Sequence, residues 1–498
     1  MSLIGIDVGS SSVKIAAYRE DGVLLALTSN ELTPLHPKPG WWEQDPNDVW
    51  MATSKGLQAI MLQSAVREYS PMALAISASG RENFPADKHG NPLGNNIMGA
   101  DIRGEELEIV PQGLPVPEPW TLSCGHLRER MDPVFRLLWW RKHHPEIIEK
   151  AQSYPDWHGF LTMRLCGRNV SERSLVGRWL IYDLETKTWS PERIREYEIN
   201  QELLPEVLPW GTIIDTISPS VAQELGLPVN LQVVTGGHDL NCAGVGTGAS
   251  QLGSVCLISG SYENMLIPTL AFPTPSMLLR GLSITPHIGK IERSIYAICP
   301  TGNAVLNWAR ALCGLPLDEQ AAYLTEEKRD PGHILALPYL SGSMLYWQEG
   351  RKLRGVLLGL TLASNSVDIV QAFMESIAYD HVNTLSMLKE DGVEVERIRA
   401  TGGGTRSEWW TQLKSDMLGV PIEVASQPEP GTFGAALLAG LGIGIYKDID
   451  EASSIMAGTS KKYYPRSERA DLHMERLETY RKLVPTLLSS VFENWHSP

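Results

Sequence analysis

Four loops of this sequence combine glycine with small hydroxyl or acidic residues, each directly after an apolar, strand-like run. They are residues 7–14, 236–239, 260–261 and 401–404. Glycine lets the backbone approach a ligand closely, and successive N–H groups and hydroxyls can hold phosphate oxygens. A carboxylate at a strand end can hold hydrated Mg²⁺ or take a proton from an attacking hydroxyl. The loops therefore indicate phosphate chemistry.

The first loop reads DVGSSSVK, with Asp7 at its start and Lys14 at its end. Asp7 is a candidate for binding Mg²⁺, and Lys14 can neutralise phosphate charge. The hydroxyls of Ser10 and Ser11 and the neighbouring N–H groups are candidate phosphate donors. A plain hairpin turn is the alternative interpretation, because Gly-Ser-Ser is also an ordinary turn sequence.

The other loops add a proton acceptor and a run of three glycines. Asp239 leaves a strand where its carboxylate can take a proton from a hydroxyl, whereas His238 is predicted to be a packed or turn residue. Glycines 402–404 cost backbone entropy that a special conformation or a close ligand must offset. The sequence contains no G-x-x-x-x-G-K-[ST] motif, and no G-x-G-x-x-G follows the first strand. A P-loop fold and a dinucleotide dehydrogenase are therefore disfavoured.

The elements around these loops predict an α/β fold, because strand-like runs alternate with amphipathic stretches. Helical spacing marks residues 48–68, 131–150, 366–389, 434–444 and 469–494. Residues 2–18 read as a β-hairpin across a Gly-Ser turn, and residues 253–268 repeat that pattern. The repeat predicts a duplicated fold with a cleft between its halves. We place the domains at 1–247 and 248–498.

Composition excludes several other classes of protein. The chain has 498 residues, 43 Lys and Arg against 58 Asp and Glu, and a formal net charge of −15. This acidic balance argues against nucleic acid or an anionic membrane as the main partner. No run approaches the ~18 apolar residues of a membrane span, and the start has no signal-peptide pattern. Six cysteines without close spacing do not form a disulfide scaffold. We therefore expect a cytoplasmic protein.

Taken together, five motifs resemble the FGGY carbohydrate kinases of the actin-like ATPase superfamily. They are DxGSSxxK at the start, GWWEQDPNDVW at 40–50, GGHD at 236–239, GGGxxS at 402–407 and GAAxxA at 434–439. The match covers nearly the whole chain in the right order. Residues 355–377 and 131–143 also resemble the family's two signatures, departing at Phe373, Arg136 and Trp140. The resemblance implies two ribonuclease-H-like domains that close over ATP-Mg²⁺ and a polyol or ketose.

The resemblance also implies residue roles. Asp239 is the general base and, with Asp7, lies near the metal. The residues implied to bind ATP are Ser10, Ser11, Lys14, Gly260, Ser261, Asn307, Gly403 and Ser407.

The sugar is implied to contact Arg81, Glu82 and Asp101. Two registers of residues 76–87 against the family stay open, and Arg81 is favoured in both. Trp120 and His126 are further candidates for contacts to substrate. The tryptophan of the glycerol kinases is missing near Asp101, which argues against glycerol itself.

The sequence thus predicts an ATP-dependent, xylulokinase-like kinase that phosphorylates a small ketose or polyol, with a pentulose as the favoured substrate. The alternative is an actin-like or chaperone-like ATPase switch without a sugar substrate. The GWWEQDP element and the substrate segment favour the kinase. A degenerate sugar-binding regulator is disfavoured because Asp7, Asp239 and the glycine loops are all present. The expected partner is a small sugar or polyol, and a homodimer is the candidate assembly.

Overall fold

The computed structural model describes residues 1–104, 107, 117–118, 120–299, 301–315, 330–343, 350–455 and 458–492. Its strands are β1 (Ser2–Val8), β2 (Ser12–Arg19), β3 (Leu24–Glu31), β4 (Glu43–Gln44), β5 (Pro71–Ala78), β6 (Asn96–Ile97), β7 (Val170–Glu172), β8 (Tyr182–Asp183), β9 (Thr188–Trp189), β10 (Glu206–Leu208), β11 (Ile213–Thr216), β12 (Gln232–His238), β13 (Ser254–Ser259), β14 (Glu263–Thr269), β15 (Ser283–Pro286), β16 (Arg293–Cys299), β17 (Leu335–Leu337), β18 (Val356–Leu358), β19 (Arg397–Thr401), β20 (Ile422–Ala425) and β21 (Thr459–Tyr463).

The helices alternate with these strands. They are α1 (Pro46–Met61), α2 (Ser64–Glu68), α3 (Thr121–Cys124), α4 (Pro133–His143), α5 (Pro145–Ile148), α6 (Trp157–Cys166), α7 (Arg173–Val176), α8 (Pro191–Glu196), α9 (Pro219–Leu225), α10 (Asp239–Thr247), α11 (Pro275–Leu279), α12 (Asn303–Leu312), α13 (Ser366–Glu390), α14 (Glu408–Leu418), α15 (Pro430–Gly442), α16 (Ile449–Ser454) and α17 (Ser467–Ser490), with 3-10 turns at Gln201–Leu203 and Gly403–Arg406. Among the described residues, no helix is both long and apolar enough to span a bilayer.

The chain divides into two compact units, and each consists of three segments. Unit 1 comprises Met1–Ser250, Ile284–Ser294 and Glu429–Ala457. Unit 2 comprises Gln251–Ser283, Ile295–Pro428 and Gly458–Pro498. The first segment of unit 1 ends close to the predicted boundary at 247. The prediction of a single boundary did not anticipate that two later segments also belong to unit 1. The assignment of functions to residues 1–247 and 248–498 stays a prediction.

The sheet of unit 1 has the order β11–β12–β5–β1–β2–β3. β1 pairs antiparallel with β2, so the predicted opening hairpin is confirmed, and Asp7 lies opposite Lys14. β1 and β12 both pair parallel with β5. The carboxyl ends of these three strands therefore meet at one edge of the sheet, where ligands of open α/β sheets commonly bind.

The central strands of unit 2 repeat this arrangement. β13 pairs antiparallel with β14 and parallel with β19, which in turn pairs parallel with β20. At the edge of each sheet an antiparallel strand lies next to the last parallel strand, β11 next to β12 in unit 1 and β21 next to β20 in unit 2. The predicted second hairpin and the duplicated pattern are confirmed.

Side-chain alternation along β1 determines which face Asp7 occupies. Ile4, Ile6 and Val8 pack in one core with α1 and α6, whereas Leu3 packs in the other core with α10 and α15. Successive residues of a strand point to opposite faces. Asp7 therefore shares the face of Leu3, on the side of the sheet covered by α10 and α15.

The small residues of α15 let it approach α10 closely. A Cβ at Gly434 would lie 1.9 Å from the carbonyl oxygen of Cys242. We expect Gly434→Ala to raise helix propensity locally and still destabilise unit 1 by roughly 1–3 kcal/mol, because backbone atoms must shift to admit the methyl group. Urea unfolding measures this loss.

Gly332→Ala is the control for this prediction, because a Cβ there meets its nearest atom at 3.6 Å, an ordinary contact. Equal unfolding midpoints for Gly434→Ala and the wild-type protein would contradict the packing described.

Candidate active site

Asp7 is the last polar residue of β1, and its carboxylate is fixed by a neighbouring strand. The Ser77 hydroxyl on β5 donates to Asp7 Oδ1 at 2.5 Å. Burial raises the pKa of Asp7, while the hydrogen bond from Ser77 and the charge of Lys14 act in the opposite direction. Lys14 Nζ donates to Glu429 Oε2 at 2.7 Å, just before α15. The negative charge of Asp7 is thus only partly compensated, which suits a site for a cation.

Asp239 is the first residue of α10, directly after β12. Its side chain is 41% exposed, and Oδ1 accepts a hydrogen bond from the Leu240 N–H at 2.6 Å. Desolvation by the surrounding protein raises the pKa of Asp239 to about 7, and the charge of Asp7 adds to the effect. A carboxylate that is accessible and titrates near neutral pH can accept a proton from a bound hydroxyl.

His238 is a packed residue beside Asp239, as predicted. It is 3% exposed, and its Nδ1 accepts from the Leu240 N–H at 3.3 Å, which makes it the N-cap of α10. Burial, followed by the charges of Arg178 and Arg81, lowers the pKa of His238 well below its usual value. The ring is therefore neutral, so its Nδ1, 3.1 Å from Asp239 Oδ1, forms no ion pair with that carboxylate.

The raised pKa of Asp239 predicts a pH profile for the reaction. A general base, the role that the family resemblance implies for Asp239, must be ionised, so kcat/KM measured with both substrates well below saturation should rise with pH and level off above about 7. Well below that pH, it should fall about tenfold per pH unit, because this parameter reports the free enzyme. A flat profile between pH 5.5 and 8 would show that Asp239 does not titrate as described.

Arg81 and Glu82 lie in a turn after β5 that contacts Glu129, Arg136 and His238. Arg81 has φ 66°, a left-handed backbone conformation that is uncommon for residues other than glycine. Its guanidinium pairs with Glu129, and its carbonyl accepts a hydrogen bond from Arg136. A Cβ at Gly80 would lie 2.6 Å from Cδ2 of His238, so this turn packs directly beside the loop of Asp239.

Glu82 is a buried acceptor in the same turn. It is 7% exposed and accepts a hydrogen bond from Asn96 Nδ2. Burial raises the pKa of Glu82, and the charge of Arg136 partly offsets that effect. A hydrogen bond from the Gly99 N–H also lowers the pKa of Glu82. A Cβ at Gly99 would meet no atom within 4 Å. Open space therefore lies beside the backbone next to Glu82.

Asp101 is buried, and internal hydrogen bonds occupy all its acceptor positions. Oδ1 accepts from the N–H and Nε of Arg103 at 2.7 and 2.9 Å. Oδ2 accepts from the Trp42 N–H and from Arg103 Nη2, both at 2.6 Å. A carboxylate has about four acceptor sites. A sugar hydroxyl would have to replace one of these bonds, and the predicted sugar contact stays a prediction.

Two charged residues around the turn, Glu129 and Arg178, carry no sequence pattern that marks them. Burial alone would raise the pKa of Glu129, but the charge and hydrogen bond of Arg81 lower it below its usual value. Arg178 is 5% exposed and acts electrostatically on Asp239. His126, a weaker sequence candidate, is 1% exposed and its Nε2 has no hydrogen-bond partner among the described residues. Trp120, the other such candidate, stacks on Arg193 at 4.1 Å.

In unit 2, the Gly260–Ser261 turn joins β13 to β14 and carries the start of α12. The Asn303 N–H donates to the carbonyl of Gly260 at 3.0 Å, and the Ala304 N–H donates to that of Ser261 at 3.2 Å. Asn307, one helical turn further along α12, is exposed and accepts from Arg310 Nη1 at 3.2 Å.

The glycine run after β19 lies against the same turn. A Cβ at Gly404 would lie 2.0 Å from Ser259 Oγ, and one at Gly403 would lie 3.6 Å from Asn303 Nδ2. Ser407 caps α14 by accepting from the Trp410 N–H at 3.4 Å. The structure thus brings Gly403, Gly260 and Ser261 together, while the hydroxyl of Ser407 has a structural partner.

A buried ion pair holds the two ends of the Gly260–Ser261 turn. Lys414 Nζ on α14 donates to both carboxylate oxygens of Glu263, at 2.8 and 2.7 Å. Glu263 also accepts from the Ser259 hydroxyl. Both charged side chains are almost completely buried, with 3% and 0% exposure. No sequence pattern pointed to this pair, because its members are 151 positions apart.

Two family models match the sequence in chain order. The model of the N-terminal domain of the FGGY family of carbohydrate kinases matches residues 2–246, and that of the C-terminal domain matches residues 297–443. The chain belongs to this family. This FGGY kinase is therefore an enzyme that transfers a phosphoryl group to an alcohol group of a carbohydrate, and its family uses ATP.

Known proteins resemble this FGGY kinase over almost its whole length. The xylulose kinase of Escherichia coli K12 is 27% identical over 498 residues, covering 97% of this chain and 99% of that protein. The L-xylulose/3-keto-L-gulonate kinase of the same organism is 26% identical, covering 97% of each chain. A glycerol kinase of Albidiferax ferrireducens is 26% identical, covering 91% of this chain and 93% of that protein.

Solved structures confirm the fold class. A ligand-bound xylulose kinase from Lactobacillus acidophilus has a TM-score of 0.88 at 22% identity, covering 99% of this chain and 100% of that one. The glycerol kinase of Plasmodium falciparum with ADP has a TM-score of 0.87 at 20% identity, covering 98% of each. The predicted α/β fold with two actin-like ATPase domains is therefore confirmed.

Proposed function

We propose that the enzyme transfers the γ-phosphate of ATP to a hydroxyl of a small ketose, pentulose-like, with Asp239 as general base. The observation that carries this proposal is the accessible carboxylate of Asp239 with a pKa of about 7, beside the strand ends of Asp7 and Ser77. Phosphoryl transfer passes through a loose transition state, so catalysis depends mostly on positioning and charge neutralisation. Asp239 then needs only to accept the proton of the attacking hydroxyl.

Asp7 and Asp239 would hold Mg²⁺. The charge of Asp7 raises the pKa of Asp239, so a divalent cation beside the two carboxylates would relieve that repulsion. The described residues contain no group of three or more metal-ligating side chains. This fits Mg²⁺, which usually binds to one or two carboxylates, several waters and substrate phosphates. Bound there, Mg²⁺ would neutralise phosphate charge.

The ATP-binding role is assigned to loops of both units. In unit 1 these are Ser10, Ser11 and Lys14, and Lys14 would exchange its bond to Glu429 for a phosphate oxygen. In unit 2 the turn of Gly260 and Ser261 would contact phosphate through backbone N–H groups and a hydroxyl. The nucleoside is assigned to Asn307, Gly403 and Ser407.

The sugar is assigned to the turn of Arg81 and Glu82, with Asp101 as a further contact. Glu82 supplies a buried acceptor for hydroxyls, and this turn packs beside the loop of Asp239. The open space at Gly99 leaves room for part of a substrate next to Glu82. The relatives include both xylulose kinases and glycerol kinases, so their names do not decide between the two substrates. We favour a five-carbon ketose because the tryptophan that the glycerol kinases carry near the position of Asp101 is missing from this sequence.

Coupled measurement of ADP release over ketoses and alditols of three to seven carbons tests this proposal. A saturating response to one pentulose, lost in Asp239→Asn, is expected. Saturation by glycerol alone would contradict the assignment of the substrate. ATP hydrolysis that no sugar accelerates would instead favour the ATPase switch.

A further inference from the structure

Unit 1 contains a cavity of about 300 Å³ whose lining has no role in the site above. We call it the basic cavity. Its polar lining includes Arg173, Tyr182, Lys187, Lys290, Glu292 and Arg293. Its size lies at the lower end of the range of small-molecule pockets.

Positive charge predominates in the basic cavity, although the chain as a whole carries −15. Four cationic side chains line it against two carboxylates, those of Glu172 and Glu292. Lys187 pairs with Glu292, and Lys290 pairs with Asp450. The buried Nε of Arg173 has no hydrogen-bond partner among the described residues. Its N–H is therefore available to a ligand.

Tyr182 provides a second, independent observation. The residue is 1% exposed, yet its hydroxyl has no hydrogen-bond partner among the described residues. A buried hydroxyl without a partner is costly, typically by about 1–3 kcal/mol. Tyr182 and Arg173 both line the basic cavity. A ligand oxygen that accepted from both groups would satisfy them together.

A phosphate group fits this donor set best. The guanidinium presents several N–H donors in a planar fork, which matches phosphate oxygens, and lysines add point charges. A phosphate ester carries up to two negative charges and three acceptor oxygens, so it offers an acceptor to each of the donors that line the cavity. Phosphorylated carbohydrates are also the product class of this kinase.

The basic cavity is connected to the loop of Asp239 through hydrogen bonds. Glu172, in its wall, accepts from the N–H of Ser174 at 2.7 Å and from its hydroxyl. The Ser174 Oγ in turn accepts from the His238 N–H at 2.9 Å. A Cβ at Gly237 would lie 2.9 Å from Glu172 Oε2. Glu172 thus supports the backbone immediately before the proposed base.

We propose that the basic cavity is a regulatory site for a small phosphate monoester, and that its occupancy changes the activity of Asp239. The effect on activity rests on the proposed function, whereas binding at the cavity does not. Coupling between two binding sites is reciprocal. If the phosphate monoester changes the affinity of the enzyme for the sugar by some factor, the sugar changes the affinity for the phosphate monoester by the same factor.

Titration calorimetry on the full-length protein tests the binding, with inorganic phosphate and glycerol 3-phosphate as probes at constant ionic strength. Arg173→Gln should weaken binding at least tenfold, and Tyr182→Phe should weaken it several-fold. Arg195→Gln, at an exposed position of unit 1, and Lys14→Met, in the proposed ATP loop, should leave it unchanged. Tighter binding of glycerol 3-phosphate than of inorganic phosphate identifies the ester as the ligand.

Binding that is equal in wild type and Arg173→Gln, or that is lost only in Lys14→Met, would overturn the site. Circular dichroism and thermal melts confirm that both cavity variants are folded. In the kinase assay, glycerol 3-phosphate should change kcat/KM for the sugar in wild type but not in Arg173→Gln. Binding that depends on Arg173 without this kinetic effect would refute the regulation. If no sugar is phosphorylated, the calorimetry still decides the site.

Discussion

Asp239→Asn is expected to lower kcat by roughly 10²–10⁴-fold, the usual contribution of a general base. The amide has nearly the same shape as the carboxylate but cannot accept the proton of the attacking hydroxyl. Its Oδ1 can still accept from the Leu240 N–H, so the start of α10 keeps its hydrogen bond. The loss should therefore be mainly one of chemistry, with stability and the binding of nucleotide measured without Mg²⁺ retained.

Steady-state kinetics, nucleotide binding by calorimetry and thermal melts on the same preparation test this expectation. Asp215→Asn is the matched control, because Asp215 is an exposed aspartate of unit 1 with no role in the site. The control should turn over at the wild-type rate. Near-normal kcat in Asp239→Asn would remove the proposed base, and loss of stability would show that the carboxylate has a structural role instead.

Lys414→Met is expected to destabilise unit 2 by about 3–5 kcal/mol. The substitution leaves the carboxylate of Glu263 buried without its cation, and an uncompensated buried charge is much more costly than the ion pair is favourable. Because Glu263 holds the end of the Gly260–Ser261 turn, we also expect weaker ATP binding before global unfolding. Urea unfolding and nucleotide titration measure the two effects.

The double variant Lys414→Met/Glu263→Gln separates charge burial from packing. It removes both charges and keeps a side chain that can bond to the Ser259 hydroxyl, so most of the stability should return. Lys461→Met is the control, because Lys461 pairs with Glu408 at an exposed position, where ion pairs contribute about 0–1 kcal/mol. Equal losses for Lys414→Met and Lys461→Met would contradict the buried pair.

Local patterns were sufficient to predict both hairpins, since a Gly-Ser turn between two apolar runs determines its own pairing. They did not predict where helices break. The helix expected over 48–68 is divided into α1 and α2, and the one over 131–150 ends at His143. Pro145 explains the second break, because a proline disfavours helical backbone in the residue before it.

The site itself depends on contacts between distant parts of the chain. Asp7 and Asp239 were predicted because each lies where an apolar strand ends in a polar turn. Their proximity required β5 to pair with both β1 and β12, which no local pattern specifies. Glu129 and Arg178 escaped prediction because charged residues in loops are usually solvated. Only the tertiary fold buries them around Arg81.

The three-segment composition of unit 1 has a consequence for biosynthesis. Helix α15 covers one face of the unit 1 sheet but begins at Pro430, near the end of the chain. During translation, the first 250 residues therefore emerge from the ribosome long before the helix that completes their core. We expect unit 1 to stay incomplete, with the part of the apolar sheet face that α15 covers still exposed, until translation has passed residue 442. Nascent chains of this enzyme are thus candidates for chaperone binding, and a fragment that ends at residue 250 should not fold alone.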